Sequence, residues 1–183
     1  MPAPVKGDKI AIYNESTFAS CNPSTGYYTV DTCTTTSTGF EVTVNERMSG
    51  VATWGNCRAT FISNNPTFTY KNNIVRYKRN RGILVQVPNA IIENNTFTYI
   101  GHGSIQAATA LDVYNEATLP QNISIKNNKF INNNYLKGGT LTGDISVFAI
   151  SNNASVAPQG TLTGVNIENN FIAFLLEVLV NLQ

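Results

Sequence analysis

Charge is what this sequence has least of. Asp, Glu, Lys and Arg make up 13% of its 183 residues, about half of the roughly 25% usual in a soluble domain. Twelve basic residues against 11 acidic ones leave a net charge of +1, so no broad field draws the chain to nucleic acid or an anionic membrane. There is one histidine, and the three cysteines, at 21, 33 and 57, show no CxxC spacing. That set does not make a zinc site, and no metal or cofactor is expected. Aspartate stands only at 8, 31, 112 and 144, too sparse for the clustered ligands of a calcium-dependent polysaccharide lyase. Long hydrophobic runs are also missing. The most apolar stretch, Phe171–Leu182, is interrupted by Glu177 and is shorter than the roughly 20 residues of a membrane span. The opening Met1-Pro2-Ala3-Pro4-Val5-Lys6 lacks the apolar segment of a signal peptide.

Amide and hydroxyl side chains fill the gap, with 25 Asn and 21 Thr. Sixteen Ile, 9 Phe and 8 Tyr supply more apolar surface than a disordered chain carries. This composition predicts an all-β, extracellular or cell-surface protein, with any secretion signal upstream of Met1. Four glycosylation sequons, at Asn14, Asn94, Asn122 and Asn153, fit that compartment. Cys21 and Cys33 either close the Ser/Thr-rich segment between them with a bridge, leaving Cys57 free, or all three thiols are unpaired.

Two textures alternate along the chain. Residues 19–38 are dense in Ser, Thr, Gly, Asn and Pro and read as a loop or a hairpin insertion. From about Thr60 a motif recurs: alternating apolar residues, Asn-Asn, then another apolar residue. Its copies place the second Asn at 73, 95, 128 and 170, with partial copies at Phe61–Asn65 and Ala149–Asn153. A helical repeat would place apolar residues at i, i+3 and i+4. Here Ile123 and Ile125, or Val165 and Ile167, alternate with polar residues, the period of a strand. Asn suits a corner because it tolerates the left-handed conformation.

A strand, an Asn-Asn corner and a second strand, repeated at 22, 33 and 42 residues, predict a right-handed parallel β-helix spanning residues 1–183. The longer spacings imply inter-coil loops around 108–121 and 137–158. Further strands are expected at Gly82–Val87, Ser104–Ala107 and Asp144–Phe148. Aligned Asn side chains would bond one another along the stack, and Lys71, Glu93, Lys126 and Glu168 would form a surface ladder. Residues 171–183 are either an apolar cap or a truncated coil, and a truncated coil would self-associate through its open end.

The run Arg79-Asn80-Arg81-Gly82-Ile83-Leu84-Val85, followed by Ala90-Ile91-Ile92-Glu93-Asn94-Asn95-Thr96-Phe97, resembles the right-handed parallel β-helix of glycoside hydrolase family 110, the exo-acting α-1,3-galactosidases. Lys6-Gly7-Asp8-Lys9-Ile10 is similar to the segment where that family's chain leaves its catalytic half. The resemblance covers 7–12 and 61–131, and it implies a carbohydrate-active protein with a polysaccharide or glycan as partner. It also implies an inverting hydrolysis by an adjacent aspartate pair upstream of this region. No two of the four aspartates here are adjacent, so the resemblance implies only the later coils, inactive alone.

Glycoside hydrolysis needs two carboxyl groups roughly 5–9.5 Å apart, one of them protonated near neutral pH. Asp112, Glu116 and Asp144, in or beside the long loops, are the catalytic candidates; otherwise they solvate those loops. Arg76, Lys78, Arg79 and Arg81 form the sequence's charge cluster. Arg79 and Arg81 are candidates to grip sugar hydroxyls or a carboxylate, or else they flank a strand. His102, between two glycines, is a binding candidate or a turn residue. Trp54 stacks on a sugar or belongs to the core. The competing class is a non-catalytic structural or adhesive β-helix, such as a surface or tail-fibre module.

Overall fold

The structure, a computed structural model, describes residues 3–15, 18–48, 57–110, 118–136, 143–150 and 160–174. Among the described residues there are strands, turns and bends but no helix, so the protein is all-β. Among the described residues no helix is long and apolar enough to cross a membrane. The chain divides into two compact units: Met1–Pro66 with Thr109–Leu119 and Ala149–Leu162, and Thr67–Ala108 with Pro120–Phe148 and Thr163–Gln183.

The first unit holds β1 (Lys9–Asn14), β2 (Tyr28–Thr35), β3 (Phe40–Val44) and β4 (Cys57–Phe61) in the order β3-β2-β1-β4. All its pairings are antiparallel, so the expected parallel coils do not extend over this region. The reason is local. Thr36–Gly39 is a turn closed by the Thr36 N–H donating to the Gly39 carbonyl (2.9 Å), and so short a link joins only antiparallel neighbours. The Ser/Thr-rich segment therefore contributes one strand of a hairpin, fastened across the strands by the Thr32 and Thr43 hydroxyls (2.6 Å). The partial motif at Phe61–Asn65 ends β4, which is antiparallel to β1, and is no coil corner. Ile10, Ile12, Tyr28 and Val30 form the buried centre.

Cys21 and Cys33 are not bridged. The Cys21 sulfur lies 3.9 Å from that of Cys57. Cys33 stands opposite Val42 on β2, about 17 Å of strand beyond Tyr28, whose hydroxyl donates to the Cys21 carbonyl (2.6 Å).

In the second unit every described strand pairing is parallel. The chain passes through three sheets in fixed rotation. β5 (Phe68–Lys71), β8 (Ala90–Glu93), β11 (Ile123–Lys126) and β14 (Asn166–Glu168) make the first sheet. β6 (Ile74–Lys78), β9 (Thr96–Ile100), β12 (Lys129–Ile131) and β15 (Phe171–Ala173) make the second. β7 (Ile83–Val85), β10 (Ile105–Ala110) and β13 (Ile145–Ile150) make the third. These last three are the additional strands expected from the sequence.

Register aligns like with like. Tyr70, Ile92, Ile125 and Ile167 share one row, and Val75, Phe97, Phe130 and Ile172 another. The Phe97 and Phe130 rings stack at 5.3 Å, and both side chains are fully buried. Outside, Lys71–Glu93 (2.8 Å) and Lys126–Glu168 (2.9 Å) form the expected ladder. Each lysine holds its glutamate below the ordinary carboxylate range through a direct hydrogen bond.

The Asn-Asn corners divide the labour. Asn72, Asn94, Asn127 and Asn169 adopt left-handed backbone with φ from 54° to 59° and turn the chain. Asn73, Asn95, Asn128 and Asn170 point inward and bond in series. Asn95 Oδ1 accepts from the Asn73 N–H (2.9 Å), Asn128 Oδ1 from the Asn95 N–H (3.0 Å), and Asn170 Oδ1 from the Asn128 N–H (2.9 Å). Each amide nitrogen also donates to a backbone carbonyl, Asn95 to Tyr70 and Asn128 to Ile92. A second corner repeats the left-handed turn at Asn89, Asn122 and Gly164. At Gly164 a Cβ would crowd the Asn122 side-chain oxygen, which favours glycine at this level.

Asn128→Ala is expected to lose roughly 2–4 kcal/mol of stability, since it orphans the buried Asn95 N–H and the Ile92 carbonyl. Lys129→Ala, on the exposed side, should stay within about 0.5 kcal/mol. Urea unfolding measures both, and a loss below about 1 kcal/mol for Asn128→Ala would show that the ladder does not hold the coils together.

Candidate functional site

The chain turns from the second sheet to the third at residues 79–82, then at 101–104, and this corner gathers most of the described candidate residues. Trp54, Asp112 and Glu116 lie outside the described residues. Arg79, Arg81, His102 and Asp144 all fall at or beside the corner. Gly101 makes the close stacking there feasible. Its N–H donates to the Lys78 carbonyl (2.7 Å) and its carbonyl accepts from Leu136 (2.8 Å), and a Cβ would collide with the Arg79 carbonyl. The next level is set by the His102 N–H on the Asn80 carbonyl (3.4 Å) and the Gly82 N–H on the Gly103 carbonyl (3.1 Å). His102 is therefore a turn residue in its backbone, while its Nδ1 is buried without a hydrogen-bond partner.

Asp144 sits one level beyond Ser104, and backbone bonds made by Ile83 and Ile105 tie these levels together. The Ile83 N–H donates to the Ser104 carbonyl (2.9 Å) and the Ile105 N–H to the Asp144 carbonyl (2.9 Å). The buried Ser104 hydroxyl donates to Asp144 Oδ1 (3.0 Å). Burial pushes the Asp144 carboxyl above its ordinary range, while hydrogen bonds from Ser104 and Asn133 pull it partly back. Asn133 is itself locked, accepting from the Ile100 N–H (2.9 Å) and donating to the Phe97 carbonyl (3.0 Å).

A carboxyl raised by burial is shifted toward the protonated form that a general acid uses. Its partner is the difficulty. The other described carboxylates of this unit, Glu93 and Glu168, are paired with lysines and held low. Among the described residues no group of three or more His, Cys, Asp or Glu could hold a metal ion.

The cations are in the opposite condition. Of the ion pairs among the described residues, Lys6–Asp31, Arg58–Glu15, Lys71–Glu93 and Lys126–Glu168, none engages Arg76, Lys78, Arg79 or Arg81. Lys78 Nζ instead donates to the Gly82 carbonyl (3.3 Å). Tyr77, inside this run, stacks on Tyr99 with ring centroids 5.5 Å apart. Sequence reasoning passed over both tyrosines, along with Ser104 and Asn133. A signal existed: Tyr77 and Tyr99 stand 22 residues apart, and Tyr99 and Asn132 stand 33 apart, the spacings of the Asn corners.

Compared with protein-family models and with curated proteins, the chain matches none of them.

The raised Asp144 carboxyl has a signed consequence for stability. A carboxyl whose folded pKa lies above its unfolded value contributes stability that is full below the unfolded pKa and is lost as pH rises through the folded one. Asp144→Asn keeps an oxygen for Ser104 and removes this loss. The melting temperature of Asp144→Asn minus that of the wild type should therefore increase from pH 4 to pH 7. The lysine-paired glutamates are common to both proteins and cancel. A difference that is flat or falls with pH would contradict the assigned environment.

Proposed function

We propose that the second unit is a segment of a right-handed parallel β-helix and that the chain is an extracellular carbohydrate-binding module, non-catalytic by itself. Support for the β-helix comes from the rotation through three parallel sheets and from like residues in register. Support for glycan binding rests on one observation: the run Arg76–Arg81 stands at a coil corner without a described carboxylate partner. Guanidinium groups left unpaired offer forked donors that match sugar hydroxyls and carboxylates. The resemblance to the α-1,3-galactosidase β-helix runs through the same residues.

A hydrolase of the α-galactosidase type is the second reading, favoured by the raised carboxyl of Asp144. It needs a second carboxyl, and the other described carboxylates of the second unit, Glu93 and Glu168, are both paired with lysines. Self-association is a further proposal. Ile167 and Ile172 are about half exposed, at 49% and 54%, in rows whose inner members Ile125 and Phe130 are at 0%. That apolar rung suits another layer, supplied by further chain or by a second copy.

A glycan array read with the wild-type chain tests the binding reading. Binding that weakens in Arg79→Ala/Arg81→Ala, with the melting temperature retained, is the expected result. No binding to any neutral or acidic glycan would overturn it. Hydrolysis of α-galactosides that Asp144→Asn abolishes would replace it with the hydrolase. Light scattering at rising concentration should show reversible association, and a monomer throughout would remove the second-copy proposal.

A further inference from the structure

Tyr77 and Tyr99 hold backbone φ of 57° and 54°. In this left-handed region a side chain is sterically strained, and asparagine is the residue that bears it best. The fold uses that solution elsewhere. Asn72, Asn89, Asn94, Asn122, Asn127 and Asn169 all take left-handed turns, and Asn132, one level beyond Tyr99 at the same corner, does so with φ 52°. The corner therefore does not need tyrosine. Bulky residues kept in a strained conformation that a smaller one satisfies point to use of the side chain.

The two rings are presented as a platform. They lie 10° from parallel, and Asn132 Nδ2 donates to the Tyr99 hydroxyl (3.2 Å), which anchors the inner ring. Tyr77 is 73% exposed, and its one described ring contact is with Tyr99. Its immediate neighbours Arg76 and Lys78 are exposed, as is Arg79. None of the three meets a carboxylate among the described residues. A flat electron-rich face whose neighbours in sequence are exposed cations matches a ligand with both a C–H face and a negative charge.

Building on the glycan reading above, we propose that the stacked pair Tyr77–Tyr99 is the subsite for an acidic, carboxylate-bearing pyranose. The sugar ring lies on the free face of Tyr77, and its carboxylate pairs with Arg76 or Arg79. Specificity for acid over neutral sugar comes from the arginines, and orientation comes from the ring.

Calorimetric titration with an oligosaccharide ending in glucuronate, and with the same oligosaccharide ending in glucose, separates the terms. The wild type should bind the acidic form about tenfold more tightly, a difference of about 1.4 kcal/mol. High salt should erode that preference. Tyr77→Phe should keep the affinity. Tyr77→Asn should lose about tenfold while raising the melting temperature, because it relieves the strain without harming the fold. Arg76→Ala/Arg79→Ala should abolish the preference for the acid but keep weak binding of the neutral form.

Equal affinity for the two oligosaccharides, or an unchanged affinity in Tyr77→Asn, overturns the subsite. In either case the wild type still binds glycan and the broader reading stands. Failure of the wild type to bind either oligosaccharide, or any glycan on the array, overturns both.

Discussion

The buried asparagine ladder is the interaction on which the second unit depends. Parallel strands in register bring identical corners above one another, and each corner must turn the chain without leaving backbone groups unpaired inside. Asn73, Asn95, Asn128 and Asn170 meet that demand with one side chain per level. Each oxygen within the series accepts from the level before it, and each nitrogen donates to a carbonyl. Asn128 is fully buried, so its amide is tolerable only because every bond is made. Once this row is set, the registers of the flanking sheets follow, and with them the apolar rows and the Lys/Glu ladder.

The corner between the second and third sheets is built differently. There the left-handed positions fall on Tyr77, Tyr99 and Asn132 instead of on a run of asparagines, and the close approach is carried by Gly101. Polar groups inside this corner are organised around Asp144 by Ser104 and Asn133. Outside it, Arg76, Lys78, Arg79 and Arg81 meet no carboxylate among the described residues. The same stacking that buries asparagine at one corner displays aromatic and basic groups at another, because one end of each turn faces the core and the other faces solvent.

Much of the architecture was legible in the sequence. Asn-Asn recurring at 22, 33 and 42 residues named the corners and the Lys/Glu row, and period-two alternation named most of the strands of the second unit. The first unit was misjudged, because alternation reports that a segment is a strand and is silent on the direction of its neighbour. Thr36–Gly39 decided that direction through a local turn. Of the candidate site, Arg79, Arg81, His102 and Asp144 could be named because charge and histidine are scarce. Tyr77 and Tyr99 could not, since an aromatic at a coil position ordinarily belongs to the core.

What the sequence determined by itself is therefore what repeats: the strand period, the corners and the residues that must be buried at them. Each is a local property copied from one copy of the motif to the next. What only the tertiary structure decided is which side chains from different levels meet. Cys21 faces Cys57 and not Cys33, Ser104 reaches Asp144 across 40 positions of chain, and two tyrosines stack in the open. These pairings depend on register and on backbone conformation at single residues. Neither is encoded by composition or spacing until the parallel strands are set in register.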